Sequence, residues 1–201
     1  MISRAMESIM PRGEHRVVVA VPVGTPEMYD VEQVVIPRVT DGAARTVILA
    51  IHTAQLDLSE PLLVFNSDQI LDWDPEEFMQ MTEGHDGSIV VFHAPDGSPK
   101  WSYARTRKRE VLEVAEKRPI SEYATAGVYY WRRTVDFLSS ATDMIEADDR
   151  TNREFYVSPT YNYLIRDGRS ITSYVIPSAS FHSTGTPEDL AAYIEHLKEK
   201  V

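Results

Sequence analysis

A polar cluster at the end of a buried-type strand is the first candidate for chemistry. The run Leu62-Leu63-Val64-Phe65 has strand composition and stops at Asn66-Ser67-Asp68-Gln69. Open α/β sheets bind their ligands at the carboxyl ends of parallel strands. Asp68 is therefore a candidate magnesium ligand, with Asn66 beside it. The alternative is that Asn66 and Asp68 only turn the chain and cap the next element.

A second acidic pair comes shortly afterwards, in Asp72-Trp73-Asp74. This pair matches the Asp-any-Asp pattern that many glycosyltransferases use to bind a metal. Asp74 also precedes Pro75-Glu76-Glu77, which is a typical helix start with Asp as the cap and proline at the first helical position. Because capping alone accounts for Asp74, the pair is the weaker metal candidate, and a metal-dependent glycosyltransferase is the weaker of the functions considered.

Two adjacent charged residues and one glycine complete the candidates. Glu116-Lys117 comes after a strand-like run and precedes Pro119, so both side chains are expected at the same rim. Lys117 could neutralise a phosphate, or the pair could be a solvated surface pair of little energetic consequence. Gly127 precedes the strand-like run Val128–Trp131, where a missing side chain permits close approach of a ligand or of another strand.

Composition excludes several classes of function. The chain has 201 residues and no cysteine, so disulfide scaffolds, zinc-cysteine sites and thiol nucleophiles are excluded. Two histidines do not occur at ligand spacing on one predicted helix, and there is no Gly-any-Ser-any-Gly elbow, so zinc hydrolysis and serine-triad chemistry are not indicated.

The net charge of the chain limits which classes of partner we expect. Lys and Arg total 20 against 31 Asp and Glu, a net charge of −11, and such a field repels nucleic acids. A small phosphorylated ligand remains compatible, because one lysine and one divalent cation in a cleft outweigh a diffuse negative surface. No export signal and no membrane span is recognised in the sequence, so we expect no membrane partner and a cytoplasmic location.

The elements that must position these residues alternate between strands and helices in the first half and then include an antiparallel ribbon. This order predicts an α/β fold with a mixed sheet flanked by helices, in one domain over residues 1–201. The β-branched run Val17–Val21 predicts a strand covered on both faces. Ala43–Gln55 predicts a helix with Thr40 or Asp41 as its cap. The remaining predicted helices are Met1–Met10, a segment from Pro75, Val135–Glu146, part of Glu154–Ile165, and Pro187–Lys200.

Seven motifs, taken together and in order, resemble those of the sugar-phosphate nucleotidylyltransferases, most of all the capsular-polysaccharide branch. The motifs are Thr40–Thr46, Asn66–Gln69, Lys100–Tyr103, Glu116–Lys117, Ile120–Tyr129, Asn152–Tyr156 and Gly185–Leu190. The resemblance implies a Rossmann-like nucleotide-diphospho-sugar transferase sheet. It also implies transfer of a nucleoside monophosphate from an NTP, with CTP or GTP expected, to a sugar phosphate or similar small phosphorylated acceptor. Pyrophosphate is released, and the product serves surface-polysaccharide or sugar-nucleotide synthesis.

The resemblance also implies roles for individual residues. Asp68 would hold Mg²⁺ and, with Lys117, would be catalytic, Lys117 meeting the phosphate of the sugar. The residues expected at the nucleotide are Thr40, Asp41, Gly42 and Asn66. The residues expected at the acceptor are Glu116 at a sugar hydroxyl, Gly127 leaving room for the sugar ring, and Glu154 and Asn162 in the acceptor-side segment.

One departure from the family pattern concerns the amino terminus. Family members begin with a strand and a Gly-any-Gly-any-Arg loop that wraps the NTP phosphates, and Met1-Ile2 aligns just after that loop. We therefore expect the first strand and the loop to be missing, and the strand edge left open to need a partner. A homodimer contact, a partner chain or upstream coding sequence would supply it. The alternative function is a catalytically inactive member that binds a nucleotide or sugar nucleotide, or that serves as an interaction subunit.

Overall fold

The structure, a computed structural model, describes residues 2–28 and 31–199. The helices are α1 (Ile2–Ile9), α2 (Ala43–Thr53), α3 (Pro75–Met81), α4 (Thr134–Glu146), α5 (Thr160–Arg166) and α6 (Pro187–Glu199). The strands are β1 (Val18–Pro22), β2 (Glu32–Ile36), β3 (Leu62–Phe65), β4 (Gln69–Leu71), β5 (Gly87–His93), β6 (Ser102–Arg107), β7 (Glu110–Glu116), β8 (Tyr123–Trp131), β9 (Ile171–Ile176) and β10 (Phe181–Ser183). None of these helices has the length and apolar character needed to cross a membrane.

Six strands form a mixed sheet in the order β3-β8-β5-β9-β7-β6. Strands β3, β5 and β9 run parallel, and β8 lies antiparallel between β3 and β5. Strands β6 and β7 form the predicted antiparallel ribbon, and β6 also pairs with β8 at Tyr103 and Ala124. The predicted α/β fold with a mixed sheet is confirmed.

Strand β8 contains an irregularity that matters for the site. Its register with β5 passes from Ile89 opposite Tyr129 to Val91 opposite Thr125, so β8 residues 126–128 face the single residue Val90. Such bulges redirect side chains and are common beside binding sites. Gly127 lies in the middle of this bulge.

The core lies on both faces of the sheet. Along β5, Ile89 and Val91 pack into one hydrophobic cluster while Val90 and Phe92 pack into another, so this strand is covered on both sides. In the first cluster the rings of Trp131 and Tyr161 stack at 4.6 Å. The buried Tyr161 hydroxyl donates to backbone carbonyls of the sheet, which offsets the cost of burying it.

Strand β1 differs from its prediction. It pairs in parallel with β2 in a separate two-stranded sheet, and among the described residues no strand pairing joins these two to the six-stranded sheet. Only Val21 of β1 is buried. The expectation that this strand is covered on both faces is therefore wrong, because a β-branched run predicts a strand but neighbouring elements decide its burial.

Helix ends depend on local chemistry in one case and on tertiary contacts in another. Asp74 caps α3 as predicted, accepting from the backbone N–H groups of Glu76 at 2.9 Å and Glu77 at 3.4 Å. Helix α2 begins at Ala43 as predicted and ends at Thr53, but its N-cap residue is Gly42, without a side-chain cap. The prediction of Thr40 or Asp41 as the cap is wrong, because other hydrogen bonds and ion pairs take up both side chains.

Candidate functional site

The Glu116 carboxylate is fixed at the end of β7. It is buried, accepts a hydrogen bond from the Ser102 hydroxyl on the neighbouring strand β6, and lies 3.2 Å from the donating hydroxyl of Ser158. Burial raises the pKa of Glu116, although the two hydroxyl donors act in the opposite direction. The carboxylate is therefore held in one place and can accept a hydrogen bond from a third donor.

Two polar side chains of strand β8 lie near Glu116. The Tyr129 hydroxyl lies 2.9 Å from the Thr125 hydroxyl, and these two residues flank Gly127 in the chain. Burial, with the Glu116 charge as a smaller cause, raises the pKa of Tyr129 to about 12. The phenol thus stays protonated and supports the site as a hydrogen-bonding group rather than as a base.

Lys117 leaves the strand in a left-handed conformation with φ of 54°. Its backbone N–H donates to the Trp101 carbonyl at 3.0 Å, and its ammonium donates to the Tyr156 hydroxyl at 2.8 Å. This hydrogen bond is the main cause that raises the pKa of Lys117, and the nearby Glu154 carboxylate adds to it. Lys117 is therefore positively charged at neutral pH and half-buried at the rim of the sheet.

A cleft of about 650 Å³ opens beside Lys117, within the size range of small-molecule sites. It is lined by Pro99, Glu116, Lys117, Arg118, Arg150, Thr151 and Asn152. Three of these side chains are cationic and one is anionic. Arg118 and Arg150 also pair with carboxylates outside this lining. Lys117, whose ammonium bonds a neutral hydroxyl, is therefore the lining cation best able to attract an anion.

The far wall of the cleft is a tight turn. Asn152 and Arg153 have φ of 50° and 69°, and the Glu154 N–H donates to the Thr151 carbonyl at 2.9 Å, as in a type I′ turn. Arg150, just before this turn, contacts the Phe155 ring at 4.0 Å and lies 2.5 Å from the Asp148 carboxylate. The sequence analysis did not identify Arg150 as a site residue.

The predicted nucleotide segment Thr40–Gly42 packs against this same wall. The Phe155 N–H donates to the Asp41 carbonyl at 2.8 Å, and the Ala44 N–H donates to the Phe155 carbonyl at 3.0 Å. A Cβ on Gly42, whose φ is 124°, would lie 2.3 Å from the Phe155 carbonyl oxygen. The glycine is thus required by contact with protein backbone, and its expected contact with a nucleotide stays a prediction.

The side chains of this segment also have protein partners. The Asp41 carboxylate pairs with Arg45 at 2.7 Å and with Arg150 at 3.1 Å. The Thr40 hydroxyl donates to the Gly42 carbonyl at 3.0 Å. Through Arg150, Asp41 helps to position one of the three cations of the cleft.

Asp68 lies just beyond β3 at the carboxyl end of the sheet, and its carboxylate is exposed. Its backbone carbonyl accepts from the N–H of Thr184 at 2.8 Å and from the Thr184 hydroxyl at 2.9 Å. A Cβ on Gly185 would lie 2.6 Å from Asp68 Oδ2, so the missing side chain lets the carboxylate pack against this glycine. One accessible carboxylate suits Mg²⁺, which commonly keeps water and substrate phosphates as its other ligands.

Gly127 contacts the two residues Asn66 and Gln69 of the segment that carries Asp68. The Asn66 N–H donates to the Gly127 carbonyl at 3.0 Å, and a Cβ on Gly127 would lie only 1.7 Å from Gln69 Oε1. Gln69 is 7% exposed, and Oε1 has no hydrogen-bond partner among the described residues. A buried acceptor without a donor is costly, and the missing side chain of Gly127 is what lets this oxygen lie there. Only its position in the motif Asn66–Gln69 singled out Gln69 in the sequence.

Asn162 has a clear structural use. Its amide oxygen accepts from the Val114 N–H at 2.8 Å, and its amide nitrogen donates to the Val114 carbonyl at 2.7 Å. These two hydrogen bonds of one amide thus hold helix α5 against strand β7, close to Glu116. The acceptor-side role of Asn162 stays a prediction.

The Asp68 end and the Lys117 end are joined by a chain of contacts. Lys100, next to Trp101, pairs with Asp189 at 2.7 Å. The Ser183 hydroxyl donates to Asp189 at 3.0 Å, two residues before Gly185. Hydrogen bonding from Lys100 is the main cause that lowers the pKa of Asp189. Helix α6 therefore begins at a polar bridge between the two ends.

Comparisons with known proteins agree with this architecture. The structure resembles the nucleoside-diphosphate-sugar pyrophosphorylase of Vibrio cholerae RC9 with a TM-score of 0.77 at 23% identity, covering 89% of this chain and 80% of that one. It resembles the inositol-1-phosphate CTP transferase of T. maritima with a TM-score of 0.64 at 15% identity, over 92% and 76% of the two chains. The chain has the α/β nucleotide-diphospho-sugar transferase fold.

A third structural relative and the sequence comparisons complete this assignment. A CMP:2-keto-3-deoxy-manno-octonic acid synthetase solved with CTP matches with a TM-score of 0.65 at 13% identity, over 100% of this chain and 86% of that one. The sequence profile of the nucleotidyl transferase family matches residues 13–200, and the chain belongs to that family. No curated protein sequence matches the chain.

Proposed function

We propose that this protein transfers a nucleoside monophosphate from an NTP to a sugar phosphate or a similarly small phosphorylated acceptor and releases pyrophosphate. The observation that carries the proposal is the cleft with Lys117, Arg118 and Arg150 around the buried Glu116. CTP is the first donor to test and GTP the second. Two structural relatives support CTP, since one is named a CTP transferase and another was solved with CTP.

The cleft offers complementary groups for a phosphorylated sugar. Lys117, with Arg150 across the cleft, would neutralise the acceptor phosphate. Glu116 would accept a hydrogen bond from a sugar hydroxyl, because its carboxylate is already held by two serines. A cation and a carboxylate acceptor side by side in the cleft favour a polyol phosphate.

The proposed nucleotidyl transfer requires that the two reactants be positioned and that their charge be neutralised. An oxygen of the acceptor phosphate attacks the α-phosphorus of the NTP, the new P–O bond forms, and the bond to the β-phosphate oxygen breaks. The bonding electrons leave with pyrophosphate. A phosphate anion is already a nucleophile and needs no general base, so the rate comes from holding the two reactants in line and stabilising charge. Lys117 holds one of these reactants.

Asp68 would hold the Mg²⁺ that the family resemblance implies. Bound there, the ion would supply charge neutralisation on phosphate oxygens and help to orient them. The exposure of the carboxylate is the observation in favour.

The proposal also covers the pathway, the cellular location and the partners of the protein. We place the product in surface-polysaccharide or sugar-nucleotide synthesis, in line with the capsular-polysaccharide branch that the motifs resemble. A cytoplasmic location and a homodimer or partner chain stay predictions. Light scattering of the purified chain would test for a homodimer.

A pyrophosphate-release assay tests the proposed reaction. The full chain is incubated with Mg²⁺, each of CTP, GTP, UTP and dTTP, and a panel of sugar phosphates, with EDTA as the control for metal. We expect release that requires both substrates and stops with EDTA. No release with any pair, while calorimetry detects nucleotide or sugar-nucleotide binding, would overturn transfer and leave the binding function. No release and no binding would overturn both.

A further inference from the structure

Three potential metal ligands from distant parts of the chain meet on the side of the β4–β10 ribbon. Asp72 comes directly after β4, His182 lies in β10, and His196 lies near the end of α6. Asp72 Oδ2 is 3.3 Å from His182 Nε2 and 3.8 Å from His196 Nε2, and the three donor atoms lie within 4.8 Å of one another. The two imidazole rings are 4.5 Å apart.

These separations suit a tetrahedral transition-metal ion. Bonds of about 2.0–2.1 Å at tetrahedral angles place the ligand atoms roughly 3.3 Å from one another. The pair of Asp72 and His182 already has this separation, and the other pairs, within 4.8 Å, need a shift of at most about 1.5 Å to reach it. Side-chain rotation of the exposed Asp72 would supply part of that shift.

One of the three donor atoms makes no hydrogen bond to the described part of the protein. His196 Nε2 is buried and has no hydrogen-bond partner among the described residues. The His182 side chain is 12% exposed, and Tyr193 packs beside both histidines with ring centroids at 5.2 and 6.3 Å. Arg4 donates to the Tyr193 hydroxyl at 3.0 Å and so fixes that ring from helix α1. The cluster is thus held in place on several sides.

The chemical types of these three ligands also indicate which class of metal would bind. Two imidazoles and one carboxylate are ligands for Zn²⁺, Co²⁺ or Ni²⁺, whereas Mg²⁺ prefers oxygen ligands alone. Asp74, the other acid of the Asp-any-Asp pattern, caps α3 and is not a member of the cluster.

We propose that Asp72, His182 Nε2 and His196 Nε2 bind a Zn²⁺ ion, with water in the fourth position. The ion would join the carboxyl-terminal helix α6 to the ribbon that carries Asp68, since Ser183 of β10 pairs with Gln69 of β4. This site is separate from Asp68, where oxygen ligands suit Mg²⁺. It would stabilise the fold and is independent of the proposed nucleotidyl transfer.

Calorimetry and metal spectroscopy on the full chain test this site. After chelator treatment, the protein is titrated with ZnCl₂ in excess Mg²⁺, and separately with Co²⁺ to record the visible absorption of tetrahedral cobalt. We expect one ion per chain, a higher Tm with Zn²⁺, and at least a tenfold loss of affinity in His196→Ala and in Asp72→Asn. Asp72→Asn changes an exposed side chain, so it keeps the test valid if His196→Ala fails to fold.

His93→Ala is the matched control, because His93 is exposed and pairs with Glu122 outside the cluster. This variant should bind Zn²⁺ like the unaltered chain. No binding of one ion per chain, or binding that His196→Ala and Asp72→Asn leave unchanged, would overturn the proposal.

Discussion

The two ends of the candidate site are built in different ways. At the Lys117 end, hydrogen bonds between side chains do the positioning. Ser102 and Ser158 donate to the Glu116 carboxylate, and the Lys117 ammonium donates to the Tyr156 hydroxyl. At the Asp68 end, backbone atoms do the positioning, with Thr184 donating to the Asp68 carbonyl. The Asp68 carboxylate itself stays exposed.

This contrast indicates how each end would work. A buried, hydrogen-bonded carboxylate and a held ammonium are preorganised for one fixed ligand, such as the phosphate and hydroxyls of a sugar phosphate. An exposed carboxylate on a rigid backbone would suit an exchangeable divalent ion that neutralises phosphate charge. Changes at the Lys117 end should therefore alter acceptor affinity and stability, and changes of the Asp68 carboxylate should alter turnover alone.

Replacing the Asp68 carboxylate should have the largest effect. We expect Asp68→Asn to lower the rate of pyrophosphate release by roughly 10²-fold, because the amide cannot neutralise the charge of a divalent cation. Since the side chain is exposed, Tm should stay within about 1 °C of the unaltered chain. Release measured at saturating acceptor checks this, and an unchanged rate would remove Asp68 from the mechanism.

A methyl group on Gly127 should destabilise the fold where the two ends meet. Gly127→Ala adds a Cβ at 1.7 Å from Gln69 Oε1, with φ of 69°, and should cost about 2 kcal/mol or more of unfolding free energy. Gly168→Ala is the matched control, because its φ is 74° and nothing lies within 4 Å of the added Cβ. Urea unfolding compares the two variants. Equal losses would mean that Gln69 does not fill the space above Gly127.

Asp74 should behave in the opposite way to Asp68. Asp74→Ala removes the side chain that caps α3 and should cost about 1 kcal/mol of stability. Pyrophosphate release at a temperature where both proteins are folded should be unchanged. Thermal unfolding and the same assay check this, and a large fall in rate without loss of stability would instead give Asp74 a place in the site.

Removing the buried charge at Glu116 should give the smallest effect on stability, with a distinctive pH dependence. Burial raises the pKa of Glu116 in the folded chain above its unfolded value, so the folded chain binds this proton more tightly. The stability that protonation confers is present at low pH and is lost as pH rises through the folded pKa. Glu116→Gln should therefore raise Tm at neutral pH, and the gain should shrink as pH falls into the carboxyl range.

Glu110→Gln is the control for that pH series, since Glu110 is exposed at the start of the same strand. A lower Tm for Glu116→Gln at every pH would show that the hydrogen bonds from Ser102 and Ser158 outweigh the cost of burial.

Local sequence signals predicted the elements that rest on local physics. The β-strand run ending at Asn66, the Asp74 cap and the antiparallel ribbon before Glu116 all derive from residue type and spacing, and the structure has each of them. The family resemblance predicts Lys117 and Asp68 in one site, because motif order carries information that spacing alone does not, and that joint role stays a prediction.

The unpredicted features depend on tertiary contacts. Arg150 reaches the cleft because Asp41, 109 residues away, pairs with it. Gln69 lies over Gly127 because a bulge in β8 turns the glycine toward it. The histidines of the metal cluster lie on different elements, so a search for two histidines on one helix could not find them.

The most direct test of the acceptor site is the affinity of sugar phosphates for the Lys117→Met variant. This change keeps the length of the side chain and removes its charge. We predict that calorimetry shows sugar-phosphate binding to the unaltered chain and to the control Lys198→Gln, whose side chain pairs with Glu195 on the surface of α6. Lys117→Met should bind at least about tenfold more weakly, as expected for loss of one charged hydrogen bond to a phosphate. Equal affinity in all three proteins would contradict the assignment of the cleft as the acceptor site.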